Sequence, residues 1–269
     1  MLNIMKADLY RIIRGKGIYI TFAILLALNI IGVASASLPG MTFATVDEYG
    51  VPIADVAPLH EMEWNGQNMA LMLTTSMENM AFFLLPFIVF VSAAMFTHGT
   101  VKNDIAWGIS RSRLFISKLI LCTVLCAALL LFYMVCGMLL ATFINGFGGA
   151  TPPGYWSNLF QTLGLQFILL FAFICIGNFL VFVSQRTAVV NGAYIAFCLV
   201  PPLLISLLLA LNQNLVRLFD FDMLSNIMLL GDLHNAATQN IITAIGTGVF
   251  WIVVSLVGGL VLFRKAEIK

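Results

Sequence analysis

Long apolar runs alternate with short polar interruptions along the whole chain. Six of the runs can cross a bilayer as helices: residues 18–38, 77–96, 119–144, 159–183, 188–211 and 241–263. A hydrocarbon core of about 30 Å demands roughly 20 apolar residues of each spanning helix. A membrane barrel would show apolar and polar residues in strict alternation, and that pattern is absent. Helices satisfy their own backbone hydrogen bonds, which lipid cannot do for them. The sequence therefore predicts an all-α integral membrane protein, a single six-helix domain over residues 1–269. Pro86 and the Pro201–Pro202 pair fall inside spans, where proline bends a helix.

The polar interruptions carry patterns of their own. In residues 1–16, Leu2, Met5, Leu9, Ile12 and Ile13 recur at helical spacing, while Lys6, Arg11, Arg14 and Lys16 supply positive charge. This predicts a basic amphipathic helix lying at the membrane surface, its apolar face against lipid, with Gly15 and Gly17 allowing a turn into the first span. Residues 98–118 are too elaborate for a simple reversal. Gly99 ends the second span, the Thr100 hydroxyl is placed to cap a new helix, and Asp104 suits its first turn. Val101, Ile105 and Ile109 line one face, and Lys102, Asn103, Arg111 and Arg113 offer polar contacts. Lys118 is expected to anchor the third span at the surface. Residues 212–240 are too apolar for a free loop and predict short interfacial or re-entrant helices, broken at Gly231-Asp232.

Charge sets the topology. With the N-terminus in the cytoplasm, twelve of the 13 Lys and Arg residues fall on the cytoplasmic side, and only Arg217 lies outside. Asp47, Glu48, Asp55, Glu61, Glu63, Asp220, Asp222 and Asp232 all fall outside. The positive-inside rule then predicts a multi-pass protein of the cell membrane with both termini cytoplasmic. Residues 39–68 form an acidic external loop whose carboxylates attract cations. Its His60-Glu61-Met62-Glu63-Trp64 string lacks the second histidine of a zinc protease, since Trp64 stands there. Glu78, at the outer end of the second span, is either a pathway residue or a headgroup-layer residue. All five cysteines lie in spans, so neither a disulfide framework nor a metal site is expected.

Gly99-Thr100-Val101-Lys102-Asn103, followed by Gly108-Ile109-Ser110-Arg111 and Ser117-Lys118-Leu119, resembles the signature of ABC-2 type permeases. Many relatives carry an acidic residue before the Gly-Thr pair; here it is His98. The resemblance implies that residues 98–118 hold a coupling helix docking on a separate ATPase subunit. Thr100, Lys102, Asn103, Asp104, Arg111 and Arg113 would form the contact. It implies that residues 1–16 are the family's elbow helix, and that a second permease subunit, identical or homologous, faces this one. No G-x-x-x-x-G-K-[ST] phosphate loop occurs, so ATP and Mg²⁺ would be bound by the partner and this chain would hold no cofactor and catalyse no reaction. Membrane lipid is the other expected partner, and nucleic acid is not one.

Spans rich in Leu, Phe, Val and Ile predict a hydrophobic or amphipathic cargo, exported as a peptide, antimicrobial or drug, as in the family's bacteriocin-immunity branch. A secondary transporter or channel would instead place charged relays near span midpoints, where Asn178 and Asn191 are the most polar residues. An intramembrane enzyme would need matched carboxylates or histidines, but His60 and His234 are external and His98 is cytoplasmic. A non-transporting sensor that binds an ATPase is the remaining alternative.

Overall fold

The computed structural model describes residues 2–36, 64–97, 99–211, 218, 220–231 and 238–265. The described residues are 90% helical and contain no strand. Helix α1 (Leu2–Arg14) and helix α2 (Lys16–Ala36) meet at Gly15, whose N–H donates back to the carbonyls of Arg11 and Ile12. Helix α3 (Gly66–Thr75) is one the sequence pattern did not announce. It is capped by Asn65, whose side chain accepts from the Asn68 N–H at 2.9 Å.

A 3-10 turn (Met77–Asn79) then leads into α4 (Met80–Ile88), a π turn (Val89–Ala93) and α5 (Ala94–Thr97), which together make one span. Pro86 inside α4 has no N–H to donate and crowds the preceding turn, and the helix widens to π spacing three residues later. The chain continues through α6 (Thr100–Ala106), α7 (Arg111–Asn145), α8 (Tyr155–Ser184), α9 (Thr187–Leu211), α10 (Met223–Gly231) and α11 (Thr238–Lys265).

Among the described residues six helices are long and apolar enough to cross a membrane, and they coincide with the six apolar runs. This is consistent with a multi-pass membrane protein. Helix α8 is the centre of the bundle, with 61% of its most apolar stretch buried against 11% for α9. Helix α9 instead turns Leu199, Leu203, Leu207 and Leu211 outward, a face suited to lipid.

Lipid tails are as apolar as leucine, so helix association here rests on close packing and interior hydrogen bonds. Ser92 donates to Asn178 Oδ1 at 2.5 Å, tying the π turn to α8, and the Tyr194 hydroxyl donates to the Ala81 carbonyl at 2.8 Å. Asn178 is thus a packing residue with its amide also donating to Ile174. The cysteines are free thiols; Cys122, Cys126, Cys175 and Cys198 are buried and Cys136 half-buried.

Of the segment 212–240, the described part is residue 218, residues 220–231 and residues 238–240, and the rest lies outside the described residues. Asp222 caps α10 by accepting from the N–H and hydroxyl of Ser225 at 2.9 and 2.6 Å. Helix α10 does not lie loose on a surface. Ile227 and Leu230 are fully buried, and Gln166 of α8 donates to both the Ile227 carbonyl and the Thr74 carbonyl. The acidic stretch 37–63, His98, Arg217, His234 and Lys269 lie outside the described residues.

Candidate functional site

All the described Lys and Arg residues gather at the end of the bundle where α1 lies and α11 finishes. The centre of this end is a buried ion pair. Asp8 of α1 is 8% exposed and Lys118 of α7 is 2% exposed, and their charged atoms meet at 2.5 Å. Burying two charges repays its desolvation cost only with close geometry and further partners. Arg11 supplies one, approaching Asp8 at 3.3 Å while donating to the Phe90 carbonyl of the π turn at 3.4 Å. Three elements far apart in sequence are joined through one carboxylate.

This corrects two expectations. Lys118 is not a surface anchor: it points into the protein, because Asp8 gives its ammonium a counter-charge there. Helix α1 does not lie with its whole apolar stripe on lipid. Ile12 and Asp8 pack on the bundle, while Leu9 and Ile13 stay exposed beside Lys6 and Arg14. Arg14 covers the Tyr10 ring at 4.7 Å, and Lys16 opens α2 at the surface.

Helix α6 sits beside this pair, bracketed by two glycines in the left-handed region, Gly99 at φ 66° and Gly108 at φ 81°. Such angles strain any side-chain-bearing residue, so each glycine permits a sharp reversal at an end of the helix. Residues 100–106 form the helix as the pattern predicted, with two differences. The cap position is Gly99, and the Thr100 hydroxyl donates backwards to the Met95 carbonyl at 3.3 Å, closing the end of the second span. Asp104 stands in the second turn, and Ile109 lies beyond the helix, although it still packs on the core with Val101 and Ile105.

Burial pushes the Asp104 carboxyl above the usual carboxylate range; the Lys118 charge opposes that rise, Asp8 adds to it and Arg11 opposes it. The same charges that pair α1 with α7 therefore act on α6. Lys102, Asn103 and Trp107 face outward, Trp107 being 86% exposed.

The other predicted contact residues divide. Arg113 is exposed. Arg111 donates to the carbonyls of Phe263 and Arg264 at 3.1 and 3.0 Å and lies against the Phe263 ring. These carbonyls are among the last of α11, which no helical N–H reaches, and a cation there also complements the helix dipole. Arg264 returns the contact by donating to the Ser112 hydroxyl at 3.0 Å. Beneath the charges, Phe96, Phe182 and Phe263 meet edge to face and Phe115 lies tilted on Phe182, with ring centres 4.6 to 6.3 Å apart. They bind the end of the second span, α7, α8 and α11 into one unit.

Glu78 is not part of this site. It stands at the opposite end of the bundle, in the turn before α4, where Oε1 accepts from the Asn79 amide at 3.3 Å and Oε2 is closed off from solvent with no donor among the described residues. Asp8 is the residue that sequence reasoning passed over. Its signal was a lone carboxylate in an otherwise basic helix, and the matching signal was a lysine inside an apolar stretch. The two lie 110 positions apart, so no local pattern joins them. Compared with known proteins, the chain matches no protein-family model and no curated protein.

Proposed function

We propose that this chain is the membrane-spanning permease subunit of an ATP-driven transporter, as its resemblance to ABC-2 permeases implies. A cytoplasmic ATPase subunit binds ATP and Mg²⁺ and presses on α6; a second permease subunit completes the pathway. The observation that supports this reading best is the placement of α6. A seven-residue helix has no use as a simple connection between spans, yet this one is held by two left-handed glycines and turns Lys102, Asn103 and Trp107 away from the bundle. Its other side is joined to the end of the second span by the Thr100 bond to Met95, packs Val101 and Ile105 on the core, and sets Asp104 in the field of Lys118 and Asp8. A push on α6 would move the second span and α7 with it, changing which side of the membrane a cavity between two subunits faces. In this reading the charged end is cytoplasmic, α1 is the elbow helix in the headgroup layer, and the movement is export of a hydrophobic or amphipathic cargo.

The test is Mg²⁺-dependent ATP hydrolysis retained by the tagged chain when it is purified from its own cell membranes. Lys102→Glu with Trp107→Ala removes an exposed charge and an exposed aromatic, each touching little of its own chain. Losing two such anchors costs 2 kcal/mol or more at an interface, so retained hydrolysis is expected to fall by roughly thirtyfold or more. Arg111 is unsuited to this experiment because its removal frays α11. A chain that retains no ATP hydrolysis, or a double variant that retains it in full, would overturn the reading.

A further inference from the structure

The exposed side of α1 divides into two strips. Lys6, Tyr10 and Arg14 recur four residues apart, so they share one face of the helix. Leu9 and Ile13 form a second strip beside them, and all five residues are exposed. The opposite side, with Asp8 and Ile12, is buried against the bundle. Helix α2 follows at once: the exposed Lys16 opens it, and Tyr19, Ile20 and Ile24 carry exposed apolar surface along its first turns. Helix α2 is long and apolar enough to cross a membrane. The basic strip therefore stands where that span leaves the hydrocarbon, at the level of lipid headgroups.

The charges of this surface are of one sign. Among the described residues, ion pairs at this end join Asp8 to Lys118 and to Arg11. Asp104, the other carboxylate described there, lies in the field of Lys118, Asp8 and Arg11. No described carboxylate stands within ion-pair distance of Lys6, Arg14 or Lys16. The Arg14 guanidinium instead rests 4.7 Å from the centre of the Tyr10 ring, which holds it over the strip. A patch of one sign attracts the opposite one, and each basic residue close to a membrane surface favours anionic lipid. The neighbouring strip separates a lipid from a soluble anion: Leu9, Ile13 and Ile20 gain nothing from an ion, but acyl chains cover them. The positive-inside rule accounts for the charges, yet not for their spacing along one helix face flush with exposed leucine and isoleucine.

We infer that α1 and the first turns of α2 bind an anionic phospholipid, its headgroup held by Lys6, Arg14 and Lys16 and its chains by Leu9, Ile13 and Ile20. This goes beyond the permease reading and does not depend on it. The test titrates the full chain, in a non-ionic detergent, with phosphatidylglycerol and with phosphatidylcholine of identical acyl chains, and counts bound lipid by native mass spectrometry. Phosphatidylglycerol is expected to bind in preference. Lys6→Gln/Arg14→Gln is expected to weaken it by roughly tenfold or more. Arg186→Gln/Lys265→Gln removes as much exposed charge from the same end of the bundle, away from α1, and is expected to leave the affinity nearly unchanged. Lys6→Arg/Arg14→Lys keeps the charges and is expected to keep the lipid. Glycerol phosphate at the lipid's concentration is expected not to displace it. Equal binding of the two lipids overturns the assignment, as do equal losses in the two glutamine variants, which would reduce the patch to diffuse charge. Displacement by glycerol phosphate does so as well, by making the ligand a soluble anion. If the first double variant does not assemble, Lys6→Gln and Arg186→Gln are compared in its place, and equal affinities overturn the assignment.

Discussion

Asp8→Asn is expected to be the most damaging conservative change in the protein, lowering stability by about 3–5 kcal/mol. The reason is an asymmetry in the ion pair. Lys118 is 2% exposed and its ammonium meets one carboxylate at hydrogen-bond distance, that of Asp8. With an amide in place of that carboxylate, a full positive charge is left in a medium that solvates it poorly. Lys118→Met is expected to cost less, because Asp8 keeps Arg11 at 3.3 Å and a methionine fills the space of the lysine stem. The double variant Asp8→Asn/Lys118→Met is expected to recover most of the loss, since removing both members of a buried pair is often close to neutral. Thermal unfolding of all three variants in one detergent measures the coupling. An Asp8→Asn protein as stable as the parent would show that the ammonium is solvated by another route.

Gly231→Ala carries the second large effect. A Cβ at this position would stand 2.7 Å from the Thr74 carbonyl oxygen and 2.7 Å from Thr75 Cα. Both are backbone atoms of α3, so no side chain can rotate away and α10 itself must move. The displacement strains the hydrogen bond from the Thr74 hydroxyl to the Gly231 carbonyl at 3.3 Å. It also strains the two bonds by which Gln166 joins Thr74 and Ile227. Overpacking together with the weakening of these hydrogen bonds is expected to cost about 2–4 kcal/mol. Gly164→Ala is the control: nothing lies within 4 Å of its Cβ position, and alanine is the better helix former. Its midpoint of unfolding is expected to stay level or rise. Equal effects from the two substitutions would mean that α10 is not seated on α3 as described.

These two sites show unequally how much could be read in advance. The six spans were legible because hydropathy is local: about 20 apolar residues in a row need no tertiary partner to identify them. Helix α6 was legible for the same reason, since its glycine brackets and the Val101–Ile105 spacing lie within a few residues. The Thr100 hydroxyl was placed on the wrong helix end because cap geometry depends on where the preceding span stops. The bonds from Arg111 to the carbonyls of Phe263 and Arg264 were not legible because those acceptors lie over 150 positions away. Helix α3 was missed because Gly66–Thr75 mixes amides, methionines and threonines in a stretch too short to show a period.

Composition and order along the chain therefore determined a six-span, all-helical membrane architecture and the confinement of positive charge to its polar interruptions. Which polar residues turn inward was decided only in three dimensions. In lipid there is little hydrophobic drive to hold one apolar helix against another, so specificity falls to a few buried polar contacts. Asp8 with Lys118, Ser92 with Asn178, and Gln166 with Thr74 and Ile227 each join segments at least 60 residues apart. A charge or an amide acquires such a role from its partner, and its partner is chosen by the packing of the whole bundle.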